Sequence, residues 1–212
     1  MDRLTTDNIT GIIVSYNEAI LLTNCYRSIR RYYPYMKIII IDGSNLHNPC
    51  YKIAQGYIGK HTQVISTHFN IGHGKGMKLG ISLCNTDYFL LIDSDTKMIQ
   101  PPLQKMISEM DLSTYGIGEI IQVDKRGLNQ DKGEIHYLHP YFALINKHRY
   151  NTFKPIIHHG APMIQSMIHI HGAGATGFLK HFPVPDYVEH YGRGTRKSSP
   201  DEFHPKTWEK VN

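Results

Sequence analysis

The chain has 212 residues, 41% of them apolar, and a formal charge of +5 with its 14 histidines taken as neutral. That length suits one domain, and no apolar run approaches the roughly 20 residues that cross a bilayer. The first residues lack a signal-peptide profile, and Cys25, Cys50 and Cys84 are too few and too far apart for a disulfide framework or a zinc knuckle, so the expected setting is cytoplasmic.

Gly11-Ile12-Ile13-Val14-Ser15 predicts a buried strand, followed by a helix from Glu18 to Tyr32 with Leu21, Cys25, Ile29 and Tyr32 on one face. Lys37 to Ile41 predicts a second strand, stopped by Asp42-Gly43-Ser44-Asn45. Asn48-Pro49 supplies an N-cap and a proline at the first helical position. Gln63 to Thr67 reads as a third strand, Gly76 to Leu83 as a helix, and Tyr88-Phe89-Leu90-Leu91-Ile92 as a strand closed by Asp93-Ser94-Asp95. Pro101-Pro102 opens a short helix from Leu103 to Met110. Glu119 to Asp124 and Ile135 to Ile145 then read as longer, partly antiparallel strands joined by a polar turn, Lys125 to Gly133. Pro162 to Ile170 predicts a further helix and residues 172–177 a flexible loop. From Gly192 onward the polar, glycine- and proline-punctuated sequence predicts a mobile tail.

Alternating strands and helices imply an α/β fold with a mixed, mostly parallel sheet flanked by helices. Ligands bind such sheets beyond the strand C-termini, and here those ends carry Ser15-Tyr16-Asn17-Glu18, Asp42-Gly43-Ser44, His68-Phe69-Asn70 and Asp93-Ser94-Asp95. On an extended backbone Asp93 and Asp95 point to one side. Placed together the two carboxylates repel unless strong donors or a hard divalent cation compensate, and oxygen ligands at an open strand end suit Mg2+ or Mn2+. The positive net charge favours an anionic partner. Its basic residues form no single stripe and no nucleic-acid module, so a phosphorylated small molecule is expected and nucleic acid is not.

Four ordered pieces, Ile13 to Glu18, Ile40 to Ser44, Asn70-Ile71-Gly72 with Gly80-Ile81, and Asp93-Ser94-Asp95, resemble the inverting glycosyltransferases of family 2. Those enzymes have the Rossmann-like GT-A fold and take nucleotide-sugar donors. The resemblance covers residues 9–100 well and the remainder in patches. It implies that Asp42 accepts the imide N–H of a uracil or thymine ring, or the donors of guanine, with uridine or thymidine favoured over guanosine. Ser15, Asn17 and Glu18 would hold base and ribose. Asn70 and the glycine-rich turn Gly72 to Gly76, which carries Lys75, would meet the nucleotide closely. Lys78 stands where the family has asparagine and could pair with a phosphate. Asp93 and Ser94 would contact ribose or metal-bound water, and Asp95 would bind the metal.

The family also carries a Glu-Asp pair that supplies the general base. The nearest stretch here, His158-His159-Gly160-Ala161-Pro162, has neither carboxylate. That leaves His159, whose imidazole titrates near neutral pH, and Asp186 as candidates. Val188 to Gly194 resembles the segment that supplies a third ligand in many GT-A enzymes, which gives Asp93, Asp95 and His190 as the metal set. Arg193 and Arg196 would clamp the diphosphate, and residues 187–196 are expected to close over the donor.

The expected protein is thus one GT-A domain: a nucleotide-sugar and metal half (1–100), an acceptor half (101–192) and a tail (193–212). It moves a sugar, with inversion, to a glycan, lipid-linked or small-molecule acceptor. A nucleotidyltransferase of similar fold and a nucleotide-sugar-binding module without turnover are the alternatives.

Overall fold

The computed structural model describes residues 5–128 and 130–192. Its elements in chain order are β1 (Ile9–Ser15), α1 (Ala19–Tyr32), β2 (Lys37–Asp42), α2 (Pro49–Gln55), β3 (Thr62–Ser66), α3 (His73–Leu83), β4 (Tyr88–Asp93), β5 (Thr96–Met98), α4 (Leu103–Glu109), β6 (Gly116–Val123), β7 (Ile135–Asn146), α5 (Lys147–Tyr150), α6 (Ile164–Gly172), β8 (Leu179–His181) and β9 (Val188–His190). Seven strands form one sheet in the order β3-β2-β1-β4-β7-β6-β8, and β5 and β9 form a separate ribbon. Strands β1 to β4 are mutually parallel, while β7 runs antiparallel to both of its neighbours. This is the mixed, mostly parallel sheet expected from the alternation.

Strand alternation divides the core into two layers. Ile38 and Ile40 of β2 and Leu90 and Ile92 of β4 face α1, α2 and α4, joining Leu22, Cys25, Ile29, Ala54 and Met106. Ile39, Ile41, Phe89 and Leu91 face the other way, onto Met77 and Ile81 of α3 and Met167 and Ile170 of α6. The buried stripe of α1 runs through Leu22, Cys25 and Ile29, whereas Leu21 is half-buried, a shift of one residue from the expected face. Asn48 caps α2 by accepting from the Cys50 N–H at 2.8 Å, with Pro49 first in the helix, as its sequence dictates.

Helix α3 corrects the sequence reading. Residues His73 to Gly76 are its first turn, so only Gly72, at φ +85°, turns the chain. The other glycines admit close packing: a Cβ on Gly76 would stand 2.7 Å from Val14, one on Gly80 2.4 Å from Ile12, and one on Gly74 2.1 Å from the His158 carbonyl oxygen. Residues 169–171 lie in α6 and do not alternate as on a strand. His169 Nδ1 and His171 Nε2 accept the backbone N–H groups of Lys154 and His136. All three cysteines are buried and unbridged. Among the described residues no helix is long and apolar enough to cross a membrane.

Candidate active site

Parallel register sets the C-terminal ends of these strands level. Ser15 pairs with Asp42, Asp42 with Ser66, and Val14 with Asp93. The polar clusters foreseen at these ends therefore do share one edge of the sheet.

Asp42 is fully buried. Its Oδ1 accepts the Ser15 hydroxyl at 2.9 Å, the Ser44 hydroxyl at 2.7 Å and the Ser44 N–H at 3.3 Å. Its Oδ2 has no hydrogen-bond partner among the described residues. A buried carboxylate oxygen without a partner is costly, so this atom is an acceptor in wait of a donor. Asn17, at φ +58°, bends the chain after β1 and donates its N–H to Ser44 Oγ at 2.8 Å, while its own buried Oδ1 is left over. Glu18 sits at the N-terminal boundary of α1. Asn70 Oδ1 accepts the Gly72 N–H at 2.8 Å and shapes the turn into α3.

The second cluster lies where β4 ends. Asp93 closes the strand, Ser94 is buried, and a turn rather than continued extended chain carries Asp95 round to β5. The ribbon then adds the third member, because Thr96 pairs with His190 and the Tyr191 N–H donates to the Asp95 carbonyl at 3.0 Å. One ligand atom each from Asp93, Asp95 and His190 lie within 4.8 Å of one another. His190 Nε2 is 3.3 Å from Asp95 Oδ1 and 3.9 Å from Asp93 Oδ2. Side-chain exposures of 17% for Asp93, 14% for Asp95 and 28% for His190 leave the group open on one side. Two carboxylates and an imidazole, with room for further oxygen ligands, are a donor set suited to Mn2+ and acceptable to Mg2+.

Several residues around this group escaped the sequence reading. His73, first residue of α3, holds Nε2 3.0 Å from Asp93 Oδ1. Tyr141 of β7 lies flat on His190, ring centroids 4.5 Å apart and planes 4° from parallel. His139 is 4.9 Å from Tyr141 and 6.1 Å from His190, measured between ring centroids. The Tyr141 hydroxyl is hydrogen-bonded to Glu119. Burial raises the Asp93 pKa, but His73, through charge and hydrogen bonding, and then His190 and His139 outweigh it and hold the carboxyl below its usual range. Burial pushes His139 down, against the pull of Asp93, and favours its neutral form. For His190 burial is likewise the largest influence and lowers the pKa, yet the Asp95 hydrogen bond and the charges of Asp93, Asp95 and Glu119 raise it overall. Burial, followed by Glu119 and Asp93, pushes the Tyr141 phenol far up and keeps it a donor.

Lys75 and Lys78 are on the exposed side of α3, away from the buried Gly76 and Met77 that face the sheet. His159 Nδ1 accepts the His73 N–H at 3.4 Å, which ties the 158–162 loop to the start of α3. Asp186 is exposed on the turn before β9, its carbonyl accepting from Gln100 at the end of the ribbon opposite His190. Val188–His190 is already paired with β5. Arg193, Arg196 and the predicted tail lie outside the described residues.

The mixed, mostly parallel sheet flanked by helices matches that of solved GT-A glycosyltransferases. Residues 10–170 match the model of the family "Glycosyl transferase family 2", and the chain belongs to that family. No curated protein matches it in sequence. Among solved structures it is similar to the mannosyltransferase PcManGT from Pyrobaculum calidifontis in complex with GDP-Man and Mn2+, at 12% identity and TM-score 0.58, covering 96% of this chain and 67% of that one. It is also similar to S. aureus TarS, at 12% identity and TM-score 0.59, covering 89% and 62%. Glucosyl-3-phosphoglycerate synthase from Mycobacterium tuberculosis, solved with uridine diphosphate, gives 12% identity and TM-score 0.59, covering 82% and 68%. The chain spans 62% of the length of the TarS structure.

Proposed function

We propose that the protein transfers a sugar from a nucleoside-diphosphate sugar to an acceptor hydroxyl, with inversion and with the help of a divalent cation. The observation that carries this reading is the placing of an unpartnered buried Asp42 oxygen and an Asp93–Asp95–His190 donor set along one edge of a family 2 fold. Asp42 Oδ2 takes a ring N–H of the base, which uracil, thymine and guanine all offer; the preference for uridine or thymidine rests on the resemblance. Ser15 and Ser44 fix the carboxylate for that contact. Asn17, Glu18, Ser94 and Asn70 line the route from base to diphosphate. Asp93, Asp95 and His190 would hold Mn2+ or Mg2+, which when bound neutralises charge on the departing diphosphate. Arg193 and Arg196, which lie outside the described residues, would meet the diphosphate through their charge. Solved chains of similar fold carry GDP-Man, UDP-GlcNAc or uridine diphosphate, which supports a nucleotide-sugar donor without choosing the sugar. Three unbridged thiols support a reducing compartment such as the cytoplasm.

The test is a panel of UDP, dTDP and GDP titrated calorimetrically with and without Mn2+. Wild type is expected to bind a pyrimidine nucleotide in a metal-dependent way, and Asp95→Ala to lose the metal dependence. Unchanged metal dependence in that variant removes the proposal. Donor turnover in the presence of metal separates an enzyme from a binding module.

A further inference from the structure

The family's general base has no counterpart in the 158–162 loop, whose sequence holds no carboxylate. His159 is engaged at the α3 N-terminus, and Asp186 stands at the far end of the β5–β9 ribbon. Asp42, Asp93 and Asp95 are committed to the base and metal positions. The acceptor half nevertheless delivers one carboxylate to the site, by way of an irregularity in the sheet.

Strands β6 and β7 pair Gly118 with Ala143 and then Ile120 with Leu138. Glu119 alone on β6 therefore faces residues 139–142 on β7. A bulge of this kind re-aims side chains and occurs often beside active sites. The bulged stretch is level with the end of β4, because Phe142 pairs with Ile92, the residue before Asp93. Glu119 thereby meets Tyr141, the residue stacked on His190, and accepts its hydroxyl. A carboxylate offers about four lone-pair positions. Tyr141 occupies one, and Glu119, half-exposed, has the others to offer to a substrate.

The position also fits an in-line displacement. Asp42, the proposed contact to the nucleotide base, lies on the β2 side of Asp93, whereas Glu119 lies on the other side, two strands beyond β4. At about 4.8 Å per strand, that leaves on the order of 10 Å between the β4 end and the Glu119 strand, enough for a sugar ring.

We propose that Glu119 is the catalytic base, and this rests on the glycosyl-transfer reading above. The acceptor O–H gives its proton to the Glu119 carboxylate as its oxygen forms a bond to the anomeric carbon. The bond from that carbon to the diphosphate oxygen breaks on the opposite side, and its electron pair leaves with the nucleoside diphosphate.

The experiment measures two quantities on wild type, Glu119→Gln, Glu119→Asp and Tyr141→Phe. One is calorimetric affinity, for Mn2+ alone and for UDP, dTDP and GDP with Mn2+. The other is nucleoside diphosphate release from UDP-glucose, UDP-N-acetylglucosamine, dTDP-glucose and GDP-mannose, with water as the acceptor. Loss of a positioned base costs about 10²- to 10⁴-fold in rate. Glu119→Gln is therefore expected to lose about 100-fold or more in release while keeping nucleotide and Mn2+ affinity within about twofold. Glu119→Asp, with its carboxylate retained, should recover part of the rate, and Tyr141→Phe should lose less than about tenfold. Full turnover by Glu119→Gln would overturn the assignment. So would a parallel loss of Mn2+ affinity and rate in Glu119→Gln and Tyr141→Phe, which would mean that Glu119 only props Tyr141 against His190. Absence of metal-dependent nucleotide binding in wild type would instead bring down the underlying functional reading.

Discussion

At the scale of single residues, Asp42 carries the most information. Four contacts to its Oδ1 are internal and come from Ser15, Ser44 and the Cys50 thiol, so its position is set by the protein itself. Its other oxygen has no partner among the described residues and is the one proposed to meet a base. Asp42→Asn keeps the shape and can keep an oxygen facing the serines, but it turns Oδ2 from an acceptor into a donor. A ring N–H would then face an N–H, at a cost of about 1–3 kcal/mol for a buried unsatisfied pair. Uridine diphosphate affinity should fall by roughly one to two orders of magnitude in calorimetry. Equal affinity in wild type and variant would make Asp42 a purely structural residue. This aspartate was legible in the sequence because a charge that closes an apolar strand marks the point where the chain leaves the core and meets solvent or ligand. Glu119 was not legible, since a bulge breaks the two-residue period on which such reading depends. His73 was hidden for a related reason, as its neighbours Gly72 and Gly74 suggested a loop where the chain is helical.

At the scale of elements, α3 shows how packing overrides propensity. Gly74, Gly76 and Gly80 all disfavour an isolated helix, yet they let α3 approach the 157–158 backbone, Val14 and Ile12 closely. That approach is what aims His73 at Asp93. In an open helix Gly→Ala gains about 0.8–1 kcal/mol. At Gly74 the added Cβ would stand 2.1 Å from the His158 carbonyl oxygen, and a backbone atom cannot move aside cheaply. Overpacking of this kind costs about 1–3 kcal/mol. Gly74→Ala is therefore expected to lower the urea midpoint, and a variant more stable than wild type would show that the 158–162 loop yields freely. The short ribbon was the other element beyond sequence reading. Strands of three residues are too brief to display a period, and β5 finds β9 only through a contact more than ninety residues away in sequence. His190 could be anticipated from the resemblance of its segment, but the pairing that delivers it could not.

At the scale of the whole molecule, the two expected halves share one sheet. The junction is β4 against β7, in register from Tyr88–Asn146 to Ile92–Phe142, and both layers of the core draw on strands from either side of it. The site is divided in the same way: Asp42, His73, Asp93 and Asp95 come from the first half, and Glu119, His139, Tyr141 and His190 from the second. A donor bound there should therefore stabilise the entire domain. At a ligand concentration of a hundred times Kd the gain is about 2.7 kcal/mol. For a domain of this size each kcal/mol raises Tm by about 2–4 °C, so the combined shift is roughly 5–11 °C. Differential scanning calorimetry should show one cooperative transition that moves upward as a unit when Mn2+ and the preferred nucleoside diphosphate are added together, with little movement for either alone. Two transitions of which only one responds would mean that the halves unfold separately, and that the junction between β4 and β7 does not couple donor binding to the strand carrying Glu119.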